Sequence, residues 1–117
     1  MFLVHSRQVA DTNPLEYHEG ASGIGVGVAC KMDGGKLAKC GATDKPAYIV
    51  RGQLKDGRYQ VERVTPLTEY RCPVTGAPAV GATVTMGTDA ASVTATTASG
   101  VFTLTRVAGD TAYGYFA

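Results

Sequence analysis

The chain has 117 residues, 44% hydrophobic and 18% charged, and its basic residues outnumber its acidic ones by one. A length of this order makes a single domain that buries about 65% of its unfolded surface. The near-neutral charge, without any pair of adjacent Lys or Arg, argues against a nucleic-acid binder, which shows a basic excess on one face, and no apolar run approaches the ~18 residues of a membrane span. The opening MFLVHSRQVADTNP is too short and, after Val4, too polar for a signal-peptide core. It predicts a chain that starts at Met1 and is made in a cytoplasm.

Residues 1–20 show no alternation, and Pro14 interrupts them. A polar lead-in with a few apolar anchors, Phe2, Val4, Leu15 and Tyr17, reads as an extended N-terminal arm. A disordered tail and a first edge strand are the alternatives, because termini stay loose unless something ties them down. Residues 21–117 form the domain proper.

The next stretch, GASGIGVGVACKMDGG over residues 20–35, tests for a phosphate-binding loop. Such loops follow a strand and open a helix whose N-terminal amides face the anion. Here Gly27 leads into VACKMDGG, a strand running into a tight turn, and the spacing is Gly-x-Gly-x-Gly without a following Gly-Lys-Ser/Thr. Ile24, Val26 and Val28 alternate with Gly23, Gly25 and Gly27, which predicts a strand over residues 24–30 with a glycine face open to close approach.

Strands are predicted in turn over residues 36–40, 47–53, 59–64 and 68–72, from runs rich in Val, Thr and Tyr. Residues 75–82 read as a loop or a short helical turn. Two-residue alternation then marks residues 83–86, 92–96 and 101–105, the last placing Phe102 and Leu104 on one face. Residues 113–116 close the series. Turn signals punctuate it at Asp33-Gly34-Gly35, Lys55-Asp56-Gly57, Gly87-Thr88-Asp89, Ser99-Gly100 and Gly109-Asp110. The prediction is an all-β domain, a small barrel or sandwich of about seven to nine short strands.

Reactive chemistry finds little purchase. Cys30, Cys40 and Cys72 contain no Cys-x-x-Cys pair, so with His5 and His18 they lack the spacing of a zinc site. They read as reduced, half-buried small hydrophobes, although a Cys30–Cys40 bridge across a hairpin is geometrically allowed. Glu62 and Arg63 read as opposite faces of one strand, both solvating it, and His18 as a surface residue. The acidic residues form no close pair of the glycosidase kind. No serine lies in Gly-x-Ser-x-Gly. Neither a catalytic residue, a metal nor a cofactor is expected, and the chain is not read as an enzyme. Tyr113 and Tyr115 flank Gly114 and fit closing-strand packing better than stacking on a ligand.

The order of these segments resembles the head-decoration (capsid cement) proteins of tailed bacteriophages. The resemblance rests on GVGVA at residues 25–29, GGKLAK at 34–39 and GATDKPAYI at 41–49. It continues through VERVTPLTEY at 61–70, VGATVTM at 80–86, VTATT at 93–97, GVFTLTRV at 100–107 and AGDTAYGYF at 108–116. It thus spans residues 15–117, with Thr43-Asp44-Lys45-Pro46 as its most specific corner. Cysteines at 30, where that pattern prefers leucine, and at 40 depart from it.

The resemblance implies a virion structural protein on the outer surface of the expanded head. It would bind the major capsid protein in many copies, bridge neighbouring subunits against internal DNA pressure, and self-associate as trimers around local threefold axes. Neither nucleic acid nor membrane is an implied partner. Phe2, Val4, Leu15 and Tyr17 are the expected capsid-binding residues, with the arm ordering against the shell as an added strand. The alternative is a glycan- or host-surface-binding module that stacks sugars on Tyr48, Tyr59, Tyr70 or Tyr113. A small hydrolase ranks last, since no nucleophile–base–acid set is apparent.

Overall fold

The computed structural model describes residues 1–7 and 15–116. Among the described residues there is no helix, and ten strands build two five-stranded antiparallel sheets. In chain order they are β1 (Leu3–Arg7), β2 (Leu15–His18), β3 (Ala29–Asp33), β4 (Lys36–Lys39), β5 (Tyr48–Gln53), β6 (Tyr59–Arg63), β7 (Thr68–Pro73), β8 (Thr83–Val84), β9 (Phe102–Ala108) and β10 (Thr111–Phe116). The first sheet runs β1-β7-β10-β9-β8 and the second β2-β6-β5-β3-β4. The sequence-based expectation of a small all-β sandwich or barrel holds as a sandwich, with one strand more than the upper count.

Apolar residues on the facing sides of the sheets form the main core. Phe2, Tyr70, Phe102, Leu104 and Phe116 come from the first sheet and its lead-in, Ala29 and Ile49 from the second. Phe2 centres an aromatic cluster, with its ring 5.1 Å from Phe116, 5.8 Å from Phe102 and 6.5 Å from Tyr70. Such tilted and edge-on contacts suit the quadrupoles of the rings. A smaller core of Cys30, Leu37, Tyr48, Val50, Tyr59 and Val61 lies on the other face of the second sheet.

That second core explains the glycine-rich stretch. The expected strand over residues 24–30 is corrected: only Ala29 and Cys30 are extended, and residues 21–28 form two turns that lid the smaller core. Gly23 and Gly27 both sit at φ 81°, a left-handed conformation that breaks the alternation and that glycine alone adopts freely. Val26 consequently points to solvent, while Ile24 and Val28 pack inward. The lid is fastened by the Tyr59 hydroxyl, which donates to the Ala21 carbonyl at 2.8 Å, and by the Gly27 amide, which donates to the Val50 carbonyl at 2.7 Å. Beyond it, β3 and β4 form the expected hairpin. Asp33 pairs with Lys36 around Gly34-Gly35, both at positive φ, as a two-residue turn requires.

Residues 92–96 also depart from expectation. Val93 makes isolated bridges to Val74 and Met86 instead of a strand, and its side chain fills the main core. Glu62 and Arg63 do occupy opposite faces, but Glu62 is buried, with Arg51 at 3.5 Å, instead of solvating its strand.

Residues 1–7 and 15–18 show the largest difference from a free-standing arm. β1 pairs with β7 and β2 with β6, so both are the outermost strands of their sheets. Since residues 64–67 link β6 directly to β7, β1 and β2 flank the same bend. This is the edge-strand alternative, realised in both sheets; residues 8–14 of the expected arm lie outside the described residues.

Candidate functional site

The four residues expected at a partner contact separate into two pairs. Phe2 is 1% exposed and Val4 packs against the main core. Both are held by the domain's own interior, because Val4 lies opposite Tyr70 on the inward side of the first sheet. Leu15 and Tyr17, each 46% exposed, lie on the opposite edge strand β2, on the face shared with Glu62 and Gln60. The structure thus brings Leu15 and Tyr17 together and leaves Phe2 and Val4 inside. Hydrophobicity marked all four alike; what separates them is pairing register, which only the fold supplies.

β2 is a short edge strand on the outside of the second sheet. It is four residues, LEYH, with neither proline, lysine nor a bulge, whereas β1 carries a register shift between Val4 and Ser6. Just past β2 the Glu19 carbonyl accepts the Leu37 amide at 2.8 Å and the Ala21 amide donates to the Leu37 carbonyl at 3.0 Å, but among the described residues β2 itself has no partner strand on its outer side. Such an edge beside two exposed apolar side chains is a template for strand addition.

The other face of β2 anchors it. Glu16 lies opposite Val61, and its carboxylate accepts from Arg63 Nε at 2.9 Å and Nη2 at 3.2 Å, and from the Tyr48 hydroxyl at 3.1 Å. His18 Nε2 lies 3.2 Å from the same carboxylate. The guanidinium of Arg63 stands 5.6 Å over the Tyr48 ring, and the His18 ring packs 5.0 Å from it. The Arg63 hydrogen bond, aided by those of His18 and Tyr48, holds the Glu16 carboxyl at about 2, far below its ordinary 4.5. Reasoning from sequence missed this latch. Glu16 and Arg63 are 47 positions apart, and only the β2–β6 and β5–β6 registers join them.

The Thr-Asp-Lys-Pro corner closes on itself. The Asp44 carboxylate accepts the Gly41 amide at 2.7 Å and Lys31 Nζ at 2.8 Å, and these bonds lower its pKa. Cys30, Cys40 and Cys72 are free, buried thiols, with pKa values pushed up by burial to about 11, 12 and 12. Cys30 belongs to the smaller core and Cys40 to the main one, on opposite faces of the second sheet, so the expected option of a bridge between them is not realised. Of the tyrosines considered for stacking, Tyr48, Tyr59 and Tyr70 are buried. Tyr113 stands partly exposed on the outer face of the first sheet.

A groove of about 300 Å³ is lined by Met1, Leu3, Arg71, Cys72, Pro73 and Thr111. Among the described residues no group of three or more His, Cys, Asp or Glu side chains is placed to hold a metal ion. The chain matches no family model, no curated protein and no solved structure at a significant level.

Proposed function

We propose that the protein is a capsid decoration protein, seated in many copies on the outside of an expanded phage head and bridging neighbouring major capsid subunits. The ordered resemblance over residues 15–117 motivates this reading. The observation that carries it is the β2 edge, where Leu15 and Tyr17 are exposed on a strand whose outer backbone has no partner strand among the described residues. A shell segment added there gains main-chain hydrogen bonds along β2 and apolar contacts from both side chains. The contact is therefore assigned to Leu15 and Tyr17 and withdrawn from Phe2 and Val4.

A cement must recognise the assembled shell and not its free subunits, so its footprint straddles a joint; assembly as trimers around local threefold axes meets that need. Each copy that binds only the intact shell stabilises it by about 2.7 kcal/mol at a free concentration 100 times the dissociation constant. Modest contacts repeated over many joints suffice, and no catalytic step is required of the chain.

Removing residues 1–18 would test the contact poorly, because it also removes Phe2 from the core. The double substitution L15S/Y17S, which adds no charge opposite the buried Glu62, leaves the interior alone. Incubated with bare expanded heads, the native protein is expected to saturate them and the double variant to lose occupancy at least tenfold, with an unchanged melting temperature. Equal occupancy by both proteins would dismiss the β2 contact. Particles of the parent phage that carry none of this chain by mass spectrometry would dismiss the function.

A further inference from the structure

The outer face of the first sheet carries a feature that shell binding through β2 does not use. Residues directly opposite one another in an antiparallel ladder project from the same face. Arg71 on β7 lies opposite Tyr113 on β10, which lies opposite Arg106 on β9. Three interior strands thus present an Arg–Tyr–Arg row to solvent. The Arg106 guanidinium stands 5.0 Å over the Tyr113 ring, and the His5 ring meets that ring edge-on at 4.7 Å. Both arginines are exposed, and among the described residues neither has an ion-pair partner. The one carboxylate on this face among the described residues, Glu69, is already engaged by the Thr105 hydroxyl at 2.7 Å and by His5 and Ser6. Two unneutralised cations therefore share one flat surface, and Arg71 also borders the 300 Å³ groove with Leu3 and Thr111.

We infer that this face binds an anionic polysaccharide of low charge density, with Arg71 and Arg106 pairing successive acidic groups across Tyr113. Three arguments select that occupant. First, β7, β10 and β9 are interior strands whose backbone groups are spent in the ladder, so the face offers side chains only, whereas an added peptide strand draws its affinity from main-chain bonds at an edge. Second, two strand spacings set the arginine Cα atoms roughly 10 Å apart, while acidic side chains on one face of an extended peptide recur about every 7 Å. A polymer with one charge on every second sugar ring fits the wider interval. Third, duplex nucleic acid carries a charge about every 1.7 Å and is held by many cations together, and this chain's net charge is +1. With one face of the Tyr113 ring taken by Arg106, the hydroxyls of Tyr113 and Thr111 supply the remaining contacts a sugar ring uses.

This inference stands apart from the shell contact, since it uses a different surface. Calorimetric titration of the full chain with hyaluronate, which has one carboxylate per two rings, tests it at low ionic strength, with neutral dextran, poly-glutamate and duplex DNA in parallel. The expected result is salt-sensitive binding of hyaluronate, none of dextran, and weaker binding of the other two. Each arginine contributes up to about fivefold at an exposed pair, so R71Q/R106Q should weaken hyaluronate binding by about twofold to 25-fold. R58Q, at an ion pair with Asp56 elsewhere on the surface, should leave it unchanged, and melting curves establish that both variants fold. If the double variant melts early, R71K and R106K singly replace it, each expected to retain part of the affinity. Absence of hyaluronate binding, undiminished binding after loss of the arginines, or equal affinity for poly-glutamate or DNA would overturn the inference.

Discussion

Glu16 shows how one side chain fastens an edge strand. Its carboxylate gathers Arg63, His18 and Tyr48 from three strands. It is about a quarter exposed, so screening limits what the pair contributes, to about 1 kcal/mol. Because its pKa in the folded chain, about 2, lies below the ordinary 4.5, that stabilisation is complete above pH 4.5 and is lost as pH falls through 2. Urea denaturation should find E16Q about 1 kcal/mol less stable than the native protein at pH 7, with the gap closing between pH 4.5 and 2. A gap independent of pH would show that the carboxylate's charge is not what Arg63 recognises. The cysteines give a second test at this scale. Three buried thiols, Cys30 in the smaller core and Cys40 and Cys72 in the main one, with raised pKa values, should resist an aromatic disulfide reagent at pH 8 and react together in urea. Fast reaction of any one of them in buffer would contradict its placement.

Among the elements, β1 and β2 behave differently despite their adjacency in sequence. Phe2, just before β1, contacts three other aromatic rings, so Phe2→Ala should cost about 3–5 kcal/mol. Leu15→Ser, on exposed β2, should change stability by no more than about 0.5 kcal/mol. Chemical denaturation of the two variants separates a built-in strand from a loose arm. The glycines divide the same way. A methyl group at Gly114 would lie 2.1 Å from the Thr103 carbonyl and 2.7 Å from the Phe102 ring, while one at Gly25 would find only Val28, at 3.9 Å. Gly114→Ala should therefore destabilise by about 1–3 kcal/mol or more, and Gly25→Ala should be nearly silent. Similar melting temperatures for the two would contradict the close strand packing.

What could be read from sequence follows the same physical line. Alternation together with Asp-Gly and Gly-Gly turns located β4 to β7, β10 and the β3–β4 hairpin within a residue or two, and β9 within three, because both signals are local. Alternation failed at residues 24–28, where glycines at positive φ mimic a strand's period while turning the chain, and at residues 92–96, where Val93 is buried by bridges from distant segments. Leu15 and Tyr17 were legible as apolar anchors. Their exposure, the burial of Phe2, the Glu16 latch and the Arg71–Tyr113–Arg106 row were not, since each depends on register between strands far apart in the chain.

As a whole the molecule measures 42 × 32 × 22 Å, a slab with an open edge at β2 and a cationic, aromatic face on the first sheet. An edge open to strand addition and a separate cationic face fit the proposed placement over a seam. Recognition of a joint predicts sensitivity to shell maturation, because expansion changes the spacing of neighbouring subunits. Co-sedimentation with purified heads tests this most directly: the protein should bind saturably, in hundreds of copies, to bare expanded heads, and should ignore both unexpanded heads and free major capsid subunits. Failure to sediment with expanded heads, or equal binding to free subunits, would contradict it.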